Sequence, residues 1–266
     1  MPVEGKNSER AVVTAALLVI GDEILSGRTK DKNIGYIADY LTAIGIRLSE
    51  VRIVADVEEE IVTAVNALRK TFDYVFTTGG IGPTHDDITA DSVAKAFGVP
   101  IDVDPRAVAI MEKRYGPGEF TPARQRMARV PEGGELVANS VSAAPGFMIE
   151  NVIVMAGVPR IMQVMLDDVA SRLRTGAKML SRTLRVERPE GIVAPGLGRA
   201  QEAYPEVQMG SYPFYEKDKL GTHLVLRSVD EARLADALRA VWDMLEAEGF
   251  SEAASEVDNA AAAKSD

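Results

Sequence analysis

With 266 residues, 46% hydrophobic and 26% charged, the chain has the make-up of a globular protein that buries a sizeable core in one large domain or a large and a small one. It contains no cysteine, which excludes disulfides and thiolate chemistry, and only His85 and His223, which argues against a multi-histidine zinc site. The formal charge of −10 weighs against nucleic acid, and no apolar run approaches the roughly 20 residues of a membrane span. Without a secretory signal pattern either, a cytoplasmic protein with no membrane or nucleic-acid partner is expected.

Residues 1–10 are polar and expected to be loose. Residues 12–20, VVTAALLVI, read as a fully buried strand. Helical spacing of Ile34, Ile37, Leu41 and Ile44 predicts a helix ending at Gly45. Residues 46–54 alternate like a strand. Asp56 stands where it would cap the next helix, whose early glutamates and late Arg69 and Lys70 suit the helix dipole. Residues 74–77 form the next strand. This β-α-β-α-β rhythm predicts a mainly parallel sheet covered by helices, with ligands beyond the carboxyl ends of the strands.

Residues 77–91, TTGGIGPTHDDITAD, crowd three glycines, four threonines and three aspartates into the connection at that end. Glycine lets successive amides approach one anion, and a helix starting near Thr89 would favour a phosphate. Asp86 and Asp87 do not favour a bare anion, but do fit beside phosphate with Mg²⁺ between them. The alternative is a tight turn with Asp87 as a helix cap; spacing alone leaves both readings open. GDEILSG, residues 21–27, follows the first strand with Asp22 and Glu23, and Ser26, Arg28, Asp31 and Asn33 extend it. In a parallel sheet these acids and Asp56 emerge on one side.

Farther along, residues 90–97, 106–114, 123–129 and 161–173 read as helices, and 147–155 as a hairpin turning at Glu150-Asn151. A second unit begins near residue 176 in the order β-α-β-β-α. From residue 251 a disordered tail is expected. Lys113, Arg114, Arg124, Arg126 and Arg129 form a basic stretch that suits either an anion clamp or a solvated helix face. Residues 212–219, YPFYEKDK, read as a hairpin with packed aromatics, and Met155, Met162 and Met165 as core.

GDEILSGRTKDKN, the Asp56 turn and TTGGIGPTHDDIT together resemble the MoaB/Mog superfamily of molybdopterin-binding domains, and within it the N-terminal domain of CinA. NSVSAAPGF (139–147) and AGVP (156–159) are similar to two later motifs of that branch, with Ala156 in place of the usual proline. The resemblance covers residues 17–173 strongly and continues weakly to 226. It implies a three-layer α/β/α domain over residues 11–175, followed here by a small α+β domain over 176–250 and a tail over 251–266. It also implies a phosphorylated pterin or nucleotide as ligand and a homo-oligomer, dimer or trimer.

In molybdenum-cofactor enzymes of this superfamily, acids matching Asp56 and Asp87 serve magnesium-dependent adenylylation of molybdopterin. In the CinA branch and the related domain of FAD synthases, the implied activity is hydrolysis of nucleotide diphosphate linkages such as ADP-ribose or FAD, with a divalent metal. No counterpart of the CinA amidase domain is recognised, so deamidation is not expected. The expected catalytic residues are Asp56, Asp86 and Asp87, and the expected metal ligands Asp22, Glu23, Asp86 and Asp87. Ligand contacts are expected from Gly21, Ser26, Asn33, Thr78, Gly79, Gly80, Gly82, Thr84, Gly157 and Pro159. A binding module without turnover, a molybdopterin carrier or sensor, is the competing reading, with the adenylyltransferase behind it.

Overall fold

The computed structural model describes residues 12–116, 118–216 and 219–257. Residues 1–10 and the end of the tail, from 258 onward, lie outside the described residues. Contacts divide the chain into one unit up to Ala177 and another from Lys178.

The first unit is built around β1 (Val13–Ile20), buried along nearly its whole length. Its alternate side chains enter two different cores. Ala15, Leu17 and Val19 pack on one face of the sheet, and Ala16, Leu18 and Ile20 on the other. A short helix, α1 (Asp22–Leu25), follows β1, and α2 (Asn33–Ile44) then covers the first face through Ile37 and Leu41. Gly45 ends α2 in the left-handed conformation, φ 83°, that glycine adopts without steric cost. After β2 (Ile46–Val54), α3 (Glu58–Thr71) covers the second face through Ile61, Val65 and Leu68. Then come β3 (Tyr74–Thr78) and α4 (Thr89–Phe97), on the same side as α3.

A two-stranded ribbon of β4 (Ile101–Val103) and β5 (Arg129–Pro131) frames α5 (Pro105–Glu112) and α6 (Pro122–Gln125). The helix expected over residues 123–129 is therefore only one turn of α-helix and a 3₁₀ turn at Arg126–Ala128 before the chain extends. The strands β6 (Glu135–Val137), β7 (Gly146–Ile149) and β8 (Val152–Met155) complete the sheet, and α7 (Pro159–Ala170) closes the first face with Met162, Met165 and Leu166.

The strand order is β2-β1-β3-β8-β7-β6, with β2, β1, β3 and β8 parallel. Helices on both faces make this the three-layer α/β/α architecture with a mainly parallel sheet. Ile20 pairs with Val54, Val19 with Thr78, and Thr78 with Met155, so the loops after all four parallel strands leave one end of the sheet.

The second unit is a small α+β fold. It contains β9 (Leu180–Val186), α8 (Glu190–Ala203), β10 (Gln208–Glu216), β11 (Lys219–Ser228), α9 (Glu231–Ala247) and β12 (Ala254–Val257). Its antiparallel sheet runs β10-β11-β9-β12. Residues 251–257 depart from the expected disordered tail: a 3₁₀ turn leads into β12, whose backbone pairs with Thr183–Val186. In the β10–β11 hairpin, Phe214 is buried against His223, whereas Tyr212 and Tyr215 are exposed.

Candidate functional site at the carboxyl ends of the sheet

The first loop is fixed by backbone. The Gly21 amide donates to Val54 O at 3.1 Å, extending the β1–β2 ladder one residue past the strand. Asp22, Glu23 and Ser26 follow in and just after α1. Asp31 caps α2, its Oδ1 accepting from the amides of Asn33 and Ile34. Asn33 is buried; its Nδ2 donates to Gly157 O at 2.8 Å, and its Oδ1 has no partner. This ties the first loop to the loop after β8, where Pro159 occupies the first position of α7.

Asp56 does not cap α3. That helix begins after Val57 with no side-chain cap, and Asp56 Oδ2 instead accepts from the Asp22 amide at 2.9 Å. Asp56 Oδ1 lies 3.6 Å from where a β-carbon on Gly80 would sit. The carboxylate thus stands between the first acidic loop and the glycine loop. Burial raises its pKa; the hydrogen bond from Asp22 opposes the shift, and the charges of Asp22, Glu23 and Asp86 reinforce it. The acids of three strand ends are close enough to act on one another.

The glycine loop is drawn tight against its surroundings. The Gly79 amide donates to Met155 O at 3.2 Å, and a β-carbon there would meet Ile20 O at 2.0 Å. Gly79 and Gly157 are also neighbours: a β-carbon on Gly157 would lie 3.3 Å from Gly79 Cα. Thr89 is fully buried, donating its hydroxyl to Gly79 O at 2.9 Å and its amide to Gly80 O at 3.0 Å. The first amide of α4 is therefore committed to the loop. Asp87 does not cap α4 either: its Oδ2 accepts from the Thr84 amide at 2.8 Å and the Thr84 hydroxyl at 2.5 Å, and in that position it lies 2.6 Å from where a β-carbon on Gly82 would sit. Thr77 and Thr78 are buried with unpartnered hydroxyls. His85 and Asp86 are exposed.

Among the described residues, no group of three or more His, Cys, Asp or Glu side chains is arranged to hold a metal ion. The quartet Asp22, Glu23, Asp86 and Asp87 is thus not assembled as a metal cage, because Asp87 closes its own loop and Asp86 stands in solvent. The carboxylates at hand suit a hard cation held by one or two acids, water and ligand phosphates.

Sequence reasoning missed Thr89, which clamps the glycine loop, and gave no role to Asn139. Asn139 organises the 139–147 loop: its Oδ1 accepts from the Val141 and Ser142 amides, and its Nδ2 donates to Ala144 O at 2.8 Å. A threonine at the first helical turn after a glycine run was the available signal for Thr89. Nothing local marks Asn139 beyond its preference for turns.

Acids, glycine backbone and orphaned polar atoms gathered at the carboxyl end of a doubly covered parallel sheet define the candidate site of an α/β protein. Residues 16–175 match the family model described as a probable molybdopterin binding domain, and residues 178–254 match that of the FAD synthase middle domain. A protein of Archaeoglobus fulgidus is 34% identical over 197 residues, 74% of this chain and 84% of that one. A CinA-like protein of Citrifermentans bemidjiense is 32% identical over 262 residues, 92% of this chain but 61% of that longer protein. The solved structure of the protein CinA from Thermoplasma acidophilum, itself described as of unknown function, is 34% identical and matches with a TM-score of 0.57, covering 60% of this chain and 96% of that one. The chain belongs to the probable molybdopterin-binding domain family and is a CinA-type member of it. No described helix is long and apolar enough to cross a membrane.

Proposed function

We propose that the glycine loop binds the diphosphate of a nucleotide or pterin phosphate, and that the protein hydrolyses a nucleotide diphosphate linkage of the ADP-ribose or FAD type. The observation that carries this reading is Asp56, a carboxylate of raised pKa held between the acidic loop and Gly80. The match of residues 178–254 to the FAD synthase middle domain supports a nucleotide as the ligand.

A hard divalent cation between carboxylates and diphosphate would offset the charge that builds on the phosphorus oxygens. The amides of the 79–82 loop and the threonine hydroxyls orient the diphosphate. Asp56 Oδ2 is held by the Asp22 amide, which leaves Oδ1 to take a proton from an attacking water. The new P–O bond forms as the bond to the bridging oxygen breaks, giving two monophosphates: AMP and ribose 5-phosphate from ADP-ribose, AMP and FMN from FAD. Asp22, Glu23 and Asp86 supply the negative field that raises Asp56 and draws the cation.

The experiment is incubation of the purified protein with ADP-ribose, FAD or NAD in the presence of Mg²⁺, Mn²⁺ or Co²⁺. Metal-dependent release of AMP from at least one is expected; no release from any removes the hydrolase. Asp87 committed to Thr84 favours a second reading, a site that binds nucleotide or molybdopterin without turnover. Calorimetric binding without product would support that reading.

A further inference from the structure

The five basic side chains near residues 113–129 do not share one environment. Arg124 stacks on Tyr115 at 4.3 Å and donates to Glu119 O at 2.6 Å. Arg129 is held by Asp91 through two bonds of 2.8 and 2.5 Å. Arg126 turns the other way. It lines a small cavity of about 20 Å³ together with Gly80, Gly82, Asp87, Asp91, Arg129 and Phe147. Among the described residues its buried Nε has no partner, and its Nη2 reaches only the Asp87 carbonyl, at a marginal 3.5 Å. Among the described residues no carboxylate lies within ion-pair distance of it, since the nearby Asp87 carboxylate is folded onto Thr84 and Asp91 is taken by Arg129.

A guanidinium nitrogen buried without an acceptor is unfavourable, and an arriving anion would relieve it. The cavity has room for about one water or one phosphate oxygen. Gly80, Ile81 and Gly82 of the glycine loop line the same cavity.

We infer that Arg126 is the cationic clamp of this site: it grips the ligand's diphosphate from across the glycine loop and sets a preference for diphosphates over monophosphates. This rests on the reading that the 79–82 loop holds phosphate. One phosphate oxygen fits in the cavity against the buried Nε, and the partly exposed remainder of the guanidinium is left to meet an oxygen of the adjoining phosphoryl group, which a monophosphate lacks. The Arg129–Asp91 pair lines the same cavity and contributes no net charge.

The test uses the full chain and α,β-methylene-ADP, a diphosphate that resists hydrolysis, with AMP as the monophosphate control, both by calorimetry in Mg²⁺. Arg126→Gln is expected to weaken α,β-methylene-ADP by roughly 10- to 100-fold while changing AMP by less than roughly threefold, with a melting temperature no lower than that of the parent. Arg126→Lys, which keeps the charge but loses the fork, is expected to recover part of that loss. Wild-type affinity in Arg126→Gln would overturn the clamp while leaving the phosphate loop intact. Equal loss of both ligands with a lowered melting temperature would make Arg126 a prop for the Asp87 carbonyl instead. If the wild-type protein binds neither ligand, the phosphate-loop reading fails, and this inference with it.

Discussion

Replacing Asp56 with asparagine separates two consequences of where this carboxylate sits. Burial and the neighbouring acids raise its pKa, so the ionised form opposes folding. Its contribution to stability is fully present below the ordinary carboxylate range and is lost as pH rises through the raised value. At neutral pH the charged side chain is therefore a burden. Asp56→Asn is expected to raise the melting temperature at pH 7, by a margin that shrinks as pH falls into the carboxylate range, while AMP release is abolished. Thermal melts across pH beside the hydrolysis assay check both, and a lower melting temperature at neutral pH would refute the electrostatic account. The residue itself was legible, as an acid directly after the second strand. Its partner was not, because an aspartate ahead of a helix looks like a cap. Only the Ile20–Val54 register brings it to the Asp22 amide. The same limit hid the buried Nε of Arg126.

Elements with a strong period were readable to within a residue or two: β1 by its unbroken apolar run, α2 by its stripe and Gly45, α3 by its charge gradient. The ribbon β4–β5 and the strand β6 were not, since three residues establish no period. Glycine content located the binding loop but could not say which glycine the packing requires. Geometry singles out Gly79, at φ 103° and with no space for a β-carbon beside Ile20 O. Gly79→Ala is expected to destabilise the protein by about 2 kcal/mol or more, from backbone strain together with displacement of β1 from the loop. Denaturant unfolding measures this, and a cost near zero would mean that the loop is free to move. Gly27→Ala is a fitting comparison, because at φ 72° it shares the strain yet has nothing within 4 Å of the added carbon. In the second unit, Gly196 plays the packing role without the strain: its bare Cα lets Met244 of α9 lie against α8, at a point where a β-carbon would meet sulfur at 2.5 Å.

At the scale of the whole chain, apolar clusters stand on either side of Ala177, two of them on the opposite faces of the parallel sheet before it and one after it formed by Leu184, Val193, Leu224, Leu234 and Val241. Each side has the apolar content of an independent folding unit. Residues 12–177 and 178–257 produced separately are each expected to melt cooperatively. Trp242, the chain's single tryptophan, reports the second piece by fluorescence. A featureless thermal scan of 178–257 would show that it needs the rest of the chain. Where the second piece is cut matters for a reason rooted in β12. That strand occupies the flank of β9 from Thr183 to Val186, so trimming the protein back to residue 253 would strip four residues of backbone of their hydrogen-bonding company. The bared border would be a template for a stray chain to zip onto. A shortened version that clumps in the tube would then be reporting a missing seam, not a damaged core.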